Sequence, residues 1–200
     1  RSVEQTLDNG FIITGCKDCD GYSDVILIKT DSAGDTLWTR TFGGFDNDFG
    51  NYVQQTTDGG YIITGQTQSY GNGYSDIWLI KTDSAGDTLW TRTFGGESLD
   101  GGSCVQQTTD GGYIITGINF SLVLPDHGDV WLIKTDTLGN EIWNHTYGGV
   151  GLDWGRSVQQ TTDGGYVIAG WREIVIGGQS DSDVWLILTD PEGNAEYLGQ

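Results

Sequence analysis

The chain has 200 residues, 36% of them apolar, with 33 Gly against 2 Pro and a formal charge of −19 from 28 acidic and 9 basic side chains. Glycine at this level, without a G-X-Y period and beside 12% aromatics, excludes collagen and simple disorder and points to a turn-rich all-β chain. So acidic a field also argues against nucleic acid and anionic lipid as partners, which leaves cations and neutral or cationic ligands.

The first copy of an internal repeat, residues 1–50, opens with RSVEQ, continues through LDNGFIITG and the loop CKDCDGYSD, and reaches the segment Ser23–Gly44. Cys16 and Cys19 form a C-x-x-C in that loop, a spacing open to a small-loop disulfide, half of a metal site or idle thiols. Asp18, Asp20 and Asp24 give the loop the oxygen-rich, glycine-hinged look of a calcium site, although the twelve-residue EF-hand pattern is not completed. Calcium is thus the one cofactor suggested by the sequence.

The second copy, 51–102, resolves into four strand-like runs, YVQQTT, YIITGQT, DIWLIKTD and TLWTRTF, divided by the turn signals DGG and SAGD. Its Ser75–Gly96 repeats Ser23–Gly44 with two substitutions. A third copy spans 103–155 and carries Cys104 where the others have Ser2, Tyr52 and Ser157. The fourth, 156–200, begins RSVQQ and ends EYLGQ in place of W-T-R-T-F-G-G. Phe11, Tyr61, Tyr113 and Tyr166 mark the period, at intervals of 50, 52 and 53 residues.

Four copies of about fifty residues imply a single all-β domain, a β-propeller of four four-stranded antiparallel blades, with half of an eight-bladed ring as the alternative. A lone blade leaves both faces uncovered, which is why the segment repeats. The Gln-Gln runs are expected innermost. No run has the length to cross a bilayer as a helix, no signal-peptide order opens the chain, and the start at Arg1 in a chain without Met reads as a processed product or fragment.

Asp31, Gly34 and Trp38 spell D-x-x-G-x-x-x-W, as do Asp83, Gly86 and Trp90, then Asp136, Gly139 and Trp143; the fourth copy reads Asp190, Gly193 and Tyr197. This resembles the tryptophan-docking motif of pyrroloquinoline-quinone-type propellers, which implies that Trp38, Trp90, Trp143 and Tyr197 dock on the following blade. The whole unit, DGGYIITG with D-x-W-L-I-K-T-D and W-x-x-T-[FY]-G-G, is similar to the repeats of secreted or surface-anchored bacterial and archaeal propeller proteins. The resemblance implies a secreted or cell-surface location and a scaffold role. The quinoprotein pattern departs in blade number and in its adjacent Cys pair, so quinone chemistry is not expected.

In an up-and-down blade, the constant DGG and SAGD turns fall on one face and the variable loops on the other. Those loops are CKDCDGYSD, QSYGNGYSD, NFSLVLPDHGD and WREIVIGGQSDSD. Function is expected on the variable face. Asp48, Asp100 and Asp153 recur there in G-G-x-x-x-D-x-G, read first as acceptors for turn N–H groups and second as cation ligands. Tyr22, Tyr74, Phe120, Trp154 and Trp171 supply rings suited to a glycan or peptide. His127 and His145 have no Ser or Cys partner in a recognisable motif, so no catalytic residue is assigned; a carboxylate-based hydrolase stands third. The expectation is a non-catalytic extracellular module that binds protein or glycan and forms homo-oligomers, with no nucleic-acid or membrane-inserted role.

Overall fold

The computed structural model describes residues 1–18, 22–120, 127–176 and 179–195, without the side chains of 175, 176 and 179. Among these the regular elements are all strands. Blade 1 comprises β1 (Ser2–Gln5), β2 (Phe11–Lys17), β3 (Asp24–Thr30) and β4 (Thr36–Phe42); blade 2 comprises β5 (Asp48–Gln55), β6 (Tyr61–Thr67), β7 (Asp76–Thr82) and β8 (Thr88–Phe94). Blade 3 comprises β9 (Gly101–Gln107), β10 (Tyr113–Phe120), β11 (Gly128–Thr135) and β12 (Glu141–Tyr147); blade 4 comprises β13 (Asp153–Gln160), β14 (Tyr166–Ile176) and β15 (Gln179–Thr189). Each is an antiparallel meander in chain order. In blade 4 Thr189 bridges Ala195 where a fourth strand would begin; Tyr197 and the rest of EYLGQ lie outside the described residues.

Side chains alternate across each blade because successive strand residues point to opposite faces. Val25 and Leu27 project forward, toward the next blade, and Ile26 and Ile28 project back. In the first interface Ile12, Val25 and Leu27, with Trp38 and Phe42, meet Val53, Tyr61, Ile63, Trp78 and Ile80 of blade 2. The same pattern joins blade 2 to blade 3 and blade 3 to blade 4. Strand β7, with neighbours on both sides, is buried at every residue. The outermost strands β4, β8 and β12 alternate exposed and half-buried positions apart from the buried Phe94, which accounts for their Thr, Arg and His residues.

The strands with the Gln runs are innermost, and their side chains tie blades together. Gln55 Oε1 accepts from Leu7 N, Gln107 Oε1 from Thr57 N and Gln160 Oε1 from Thr109 N, all at 2.8–2.9 Å. Glu4 and Gln54 reach forward to the backbone N–H of Gln55 and Gln107 at 2.7 Å. The repeated Gln is therefore a main-chain substitute, spanning blades that share no backbone ladder.

One expectation changes. Much of the expected loop WREIVIGGQSDSD instead extends β14 and β15, with Glu173 opposite Ser182 and Ile174 opposite Asp181; its β-branched run favours a strand over a loop. Among the described residues no packed interface joins blade 4 to blade 1, in keeping with the half-ring alternative.

Candidate functional site

The turn face is built for rigidity. Asp58 Oδ1 accepts from Thr56 Oγ1 at 2.6 Å and Gly60 N at 3.0 Å, and Lys81 closes the turn with an ion pair at 2.9 Å. The Lys81 side chain is only 4% exposed and also donates to Thr82 O. Burial raises the Asp58 pKa, but the bonds from Thr56, Lys81 and Gly60 outweigh it and leave the carboxyl below its ordinary range; Asp110, held the same way, falls to about 2. Asp8–Lys29 and Asp110–Lys134 repeat the pair.

At the other turn of this face, Asp83 Oδ1 accepts from Ala85 N and Asp87 N at 2.9 Å. Gly86 there has φ of +80°, and a Cβ on it would fall 2.7 Å from Trp38 of the preceding blade. Gly139 receives Trp90 and Gly193 receives Trp143 in the same way. Each Trp also meets the tyrosine that opens β6, β10 or β14 of the next blade edge-on, as Trp90 does Tyr113 at 5.7 Å and 65°. Arg40 and Arg92 lie over Trp38 and Trp90, which stay half-buried beneath them. These rings are joints between blades.

The opposite face holds the recurring carboxylates. Asp48, Asp100 and Asp153 each accept from the glycine N–H four residues earlier at 2.9–3.0 Å, the anchor expected from the sequence. Each also shares a glycine with a second carboxylate. A Cβ on Gly95 would fall 1.7 Å from Asp76 Oδ1 and 2.8 Å from Asp100 Oδ2; Gly43 is crowded likewise by Asp24 and Asp48, and Gly148 by Asp129 and Asp153. Burial pushes the pKa of Asp76, Asp100, Asp129 and Asp153 up. Asp48 Oδ1 and Asp76 Oδ1 are buried without a hydrogen bond. Asp24 therefore turns toward Asp48, while Asp18 is exposed with φ of 58°; Asp20 lies outside the described residues. Among these residues no three metal-ligating side chains cluster.

Three of the sequence-predicted residues converge. A shallow groove between blades 2, 3 and 4 is lined by Gln66, Gln68, Asp100, Ile118, Phe120 and Trp154. Asp100 Oδ1 is held by Asn119 Nδ2 at 3.1 Å and Phe120 N at 3.0 Å. Trp154 donates from Nε1 to Ser103 Oγ at 2.8 Å, with the Arg156 guanidinium 3.9 Å above its ring. Trp171 lies 6.4 Å from Trp154 but belongs to the forward face of blade 4. Tyr22 and Tyr74 stand apart, 73% and 71% exposed.

Gln66, Gln68 and Arg156 were not among the sequence candidates. Gln66 aligns with Cys16, Ile118 and Trp171, a variable position at the end of an otherwise constant strand, and that variation was the available signal. Of the cysteines, Cys16 is disulfide-bonded and Cys104 is a free, buried thiol whose pKa burial raises; Cys19 lies outside the described residues. His145 Nε2 lies 3.0 Å from Glu192 O and its ring 5.3 Å from Trp143, so it packs at a blade joint.

No protein-family model matches the chain. One stretch is similar to the regulatory protein FlaEY of Caulobacter vibrioides, 31% identical over an alignment of 93 residues that covers 40% of this chain and 10% of that protein. The matched region is thus a small part of that relative's length.

Proposed function

We propose that the chain is a non-catalytic extracellular binding module whose recognition surface is the variable loop face. The observation that carries this reading is the groove between blades 2, 3 and 4. It brings Trp154 and Phe120 together with Gln66 and Gln68 at the end of the propeller where the blades differ. Flat apolar faces with adjacent amide donors and acceptors suit a sugar ring or an extended peptide. The net charge of −19 adds a preference for neutral or cationic ligands.

In the groove itself Asp100 accepts from Gly96 N, Asn119 Nδ2 and Phe120 N as a turn anchor, which supports a binding reading over acid–base chemistry. Similarity over one stretch to a protein named as regulatory is in keeping with a role in binding. The test is a combined glycan and peptide array with wild-type protein and Trp154→Ala. Ligands bound by the wild type and lost by the variant support the reading. An array without hits, or hits indifferent to Trp154, would count against it, and turnover in a hydrolase screen would replace it.

A further inference from the structure

Each joint between consecutive blades carries, at its loop end, one carboxylate from either side. Asp24, Asp76 and Asp129 stand at the start of β3, β7 and β11, and Asp48, Asp100 and Asp153 at the start of β5, β9 and β13 of the blade that follows. Two oxygens of each pair face one point. Asp76 Oδ1 and Asp100 Oδ2 lie 1.7 and 2.8 Å from where a Cβ on Gly95 would be; the corresponding distances are 1.9 and 3.0 Å at Gly43, and 1.9 and 2.7 Å at Gly148. In every pair the oxygens are therefore within the span of two calcium–oxygen bonds, about 5 Å. None of these three glycines has a positive φ, so glycine is needed there for space and not for backbone shape.

Such a pair is costly as it stands. Asp76 and Asp100 are each 2% exposed, and two buried carboxylates side by side repel. Burial, and then the charge of Asp100, push the Asp76 pKa up; burial, and then Asp129, do the same to Asp153. Asp76 Oδ2 accepts from Asn72 N, but Oδ1, the oxygen turned toward Asp100, is buried without a hydrogen bond. A turn anchor alone does not account for that orphaned oxygen. None of the ion pairs among the described residues involves these carboxylates, since the lysines pair with Asp8, Asp58 and Asp110 and Arg40 with Asp87.

We propose that each pair is a calcium site that clasps two blades: Asp24 with Asp48, Asp76 with Asp100, and Asp129 with Asp153. Hard oxygen donors without a His or Cys beside them suit calcium over zinc. Among the described residues no third metal-ligating side chain joins a pair, so the remaining ligands are neutral oxygens and water. Affinity then falls at about 10⁻⁴–10⁻³ M, the range of extracellular calcium modules. The charge of −19 draws cations to this surface. A shared ion also supplies what the joints lack, a bond between blades that have no common backbone ladder. The inference does not rest on what the groove binds.

The test is a calcium chloride titration of the chelator-treated protein at pH 7 and fixed ionic strength, followed by amide NMR, with magnesium and sodium chloride for comparison. The amides of Gly44, Gly96 and Gly149, which donate to Asp48, Asp100 and Asp153, should shift and saturate with half-points at about 10⁻⁴–10⁻³ M calcium. Asp76→Asn should abolish the Gly96 response and spare that of Gly149, and Asp129→Asn should do the reverse. Asp183→Asn, at the exposed counterpart in blade 4, should spare both. The amide spectra report directly that each variant is folded. In chelator Asp76→Asn should melt above the wild type; calcium at ten times its half-point should raise the wild type by at least about 3 °C and the variant by less. Shifts that never saturate, or that sodium reproduces, are counterion screening and overturn the sites. A Gly96 response unchanged in Asp76→Asn overturns the assignment of ligands, and equal saturation by magnesium overturns the choice of calcium. No response to calcium, with Gly96 moving between pH 7 and pH 5, replaces the ion with a proton shared by the pair.

Discussion

Truncating Trp90 to Ala isolates the joint between blades 2 and 3. Trp90 is half-buried, packs edge-on against Tyr113 and covers the turn at Gly139. Half of a Trp side chain's burial, about 100 Å², at about 25 cal per Å² gives about 2.5 kcal/mol. The ring pair adds about 0.5–1 kcal/mol, for a loss of about 3 kcal/mol. That sits at the low end for Trp truncation because the joint is open to water on its Arg92 side. Gly139→Ala fails for two separable reasons: φ of +75° disfavours any L side chain, and the new Cβ would lie 2.6 Å from Trp90 Cζ3. Only the second disappears when Trp90 is Ala. Urea unfolding of the two single variants and the double variant is the assay, and the double variant should be more stable than the sum of the singles by about 1 kcal/mol. A Trp90→Ala loss below 1 kcal/mol, or strict additivity, would refute the docking argument.

Stability should pass through a maximum at mildly acidic pH. Asp76, Asp100, Asp129 and Asp153 have raised pKa values, so the folded chain takes up protons before the unfolded one and gains stability as pH falls from neutral toward the ordinary carboxylate value of about 3.9. Below it Asp58 and Asp110, with lowered values, protonate in the unfolded chain first, and their contribution is lost as pH falls toward about 2. Thermal melts from pH 7 to pH 2 check the shape; a monotonic fall would contradict it. Asp76→Asn removes a buried charge whose Oδ1 has no partner and should raise the melting temperature at pH 7, with the gain shrinking toward pH 4. Lys81→Met strips the Asp58 turn of its ion pair and the bond to Thr82 O; a loss of about 1–2 kcal/mol in urea unfolding is expected, with no loss pointing to a dispensable pair. Cys104 should resist thiol reagents in the native protein and react only on unfolding.

The blades were legible in the sequence because their signal is repeated. Period, strand alternation and turn chemistry agree at every copy, and Trp38, Trp90 and Trp143 each lie against the turn glycine of the following blade. The Gln runs announced the inner strand but not its chemistry, since bonds such as Thr57 N to Gln107 Oε1 join residues fifty apart in different blades. Less of the loop face could be read. Phe120 and Trp154 line one groove from two blades, a convergence set by how the blades stack rather than by spacing. Asp24, grouped with Asp18 and Asp20 from the sequence, also lies beside Asp48 at Gly43, a neighbour that sequence spacing does not reveal. The hairpin through Ile174 was hidden by the Gly and Ser residues around it.

The central claim, recognition by the loop face, is tested most directly by backbone hydrogen exchange with and without a ligand identified on the array. Added protection should centre on residues 66–68, 99–101, 118–120 and 154, the segments that line the groove. Protection confined to the Asp-Gly-Gly and Ser-Ala-Gly-Asp turns at the opposite end would contradict the account.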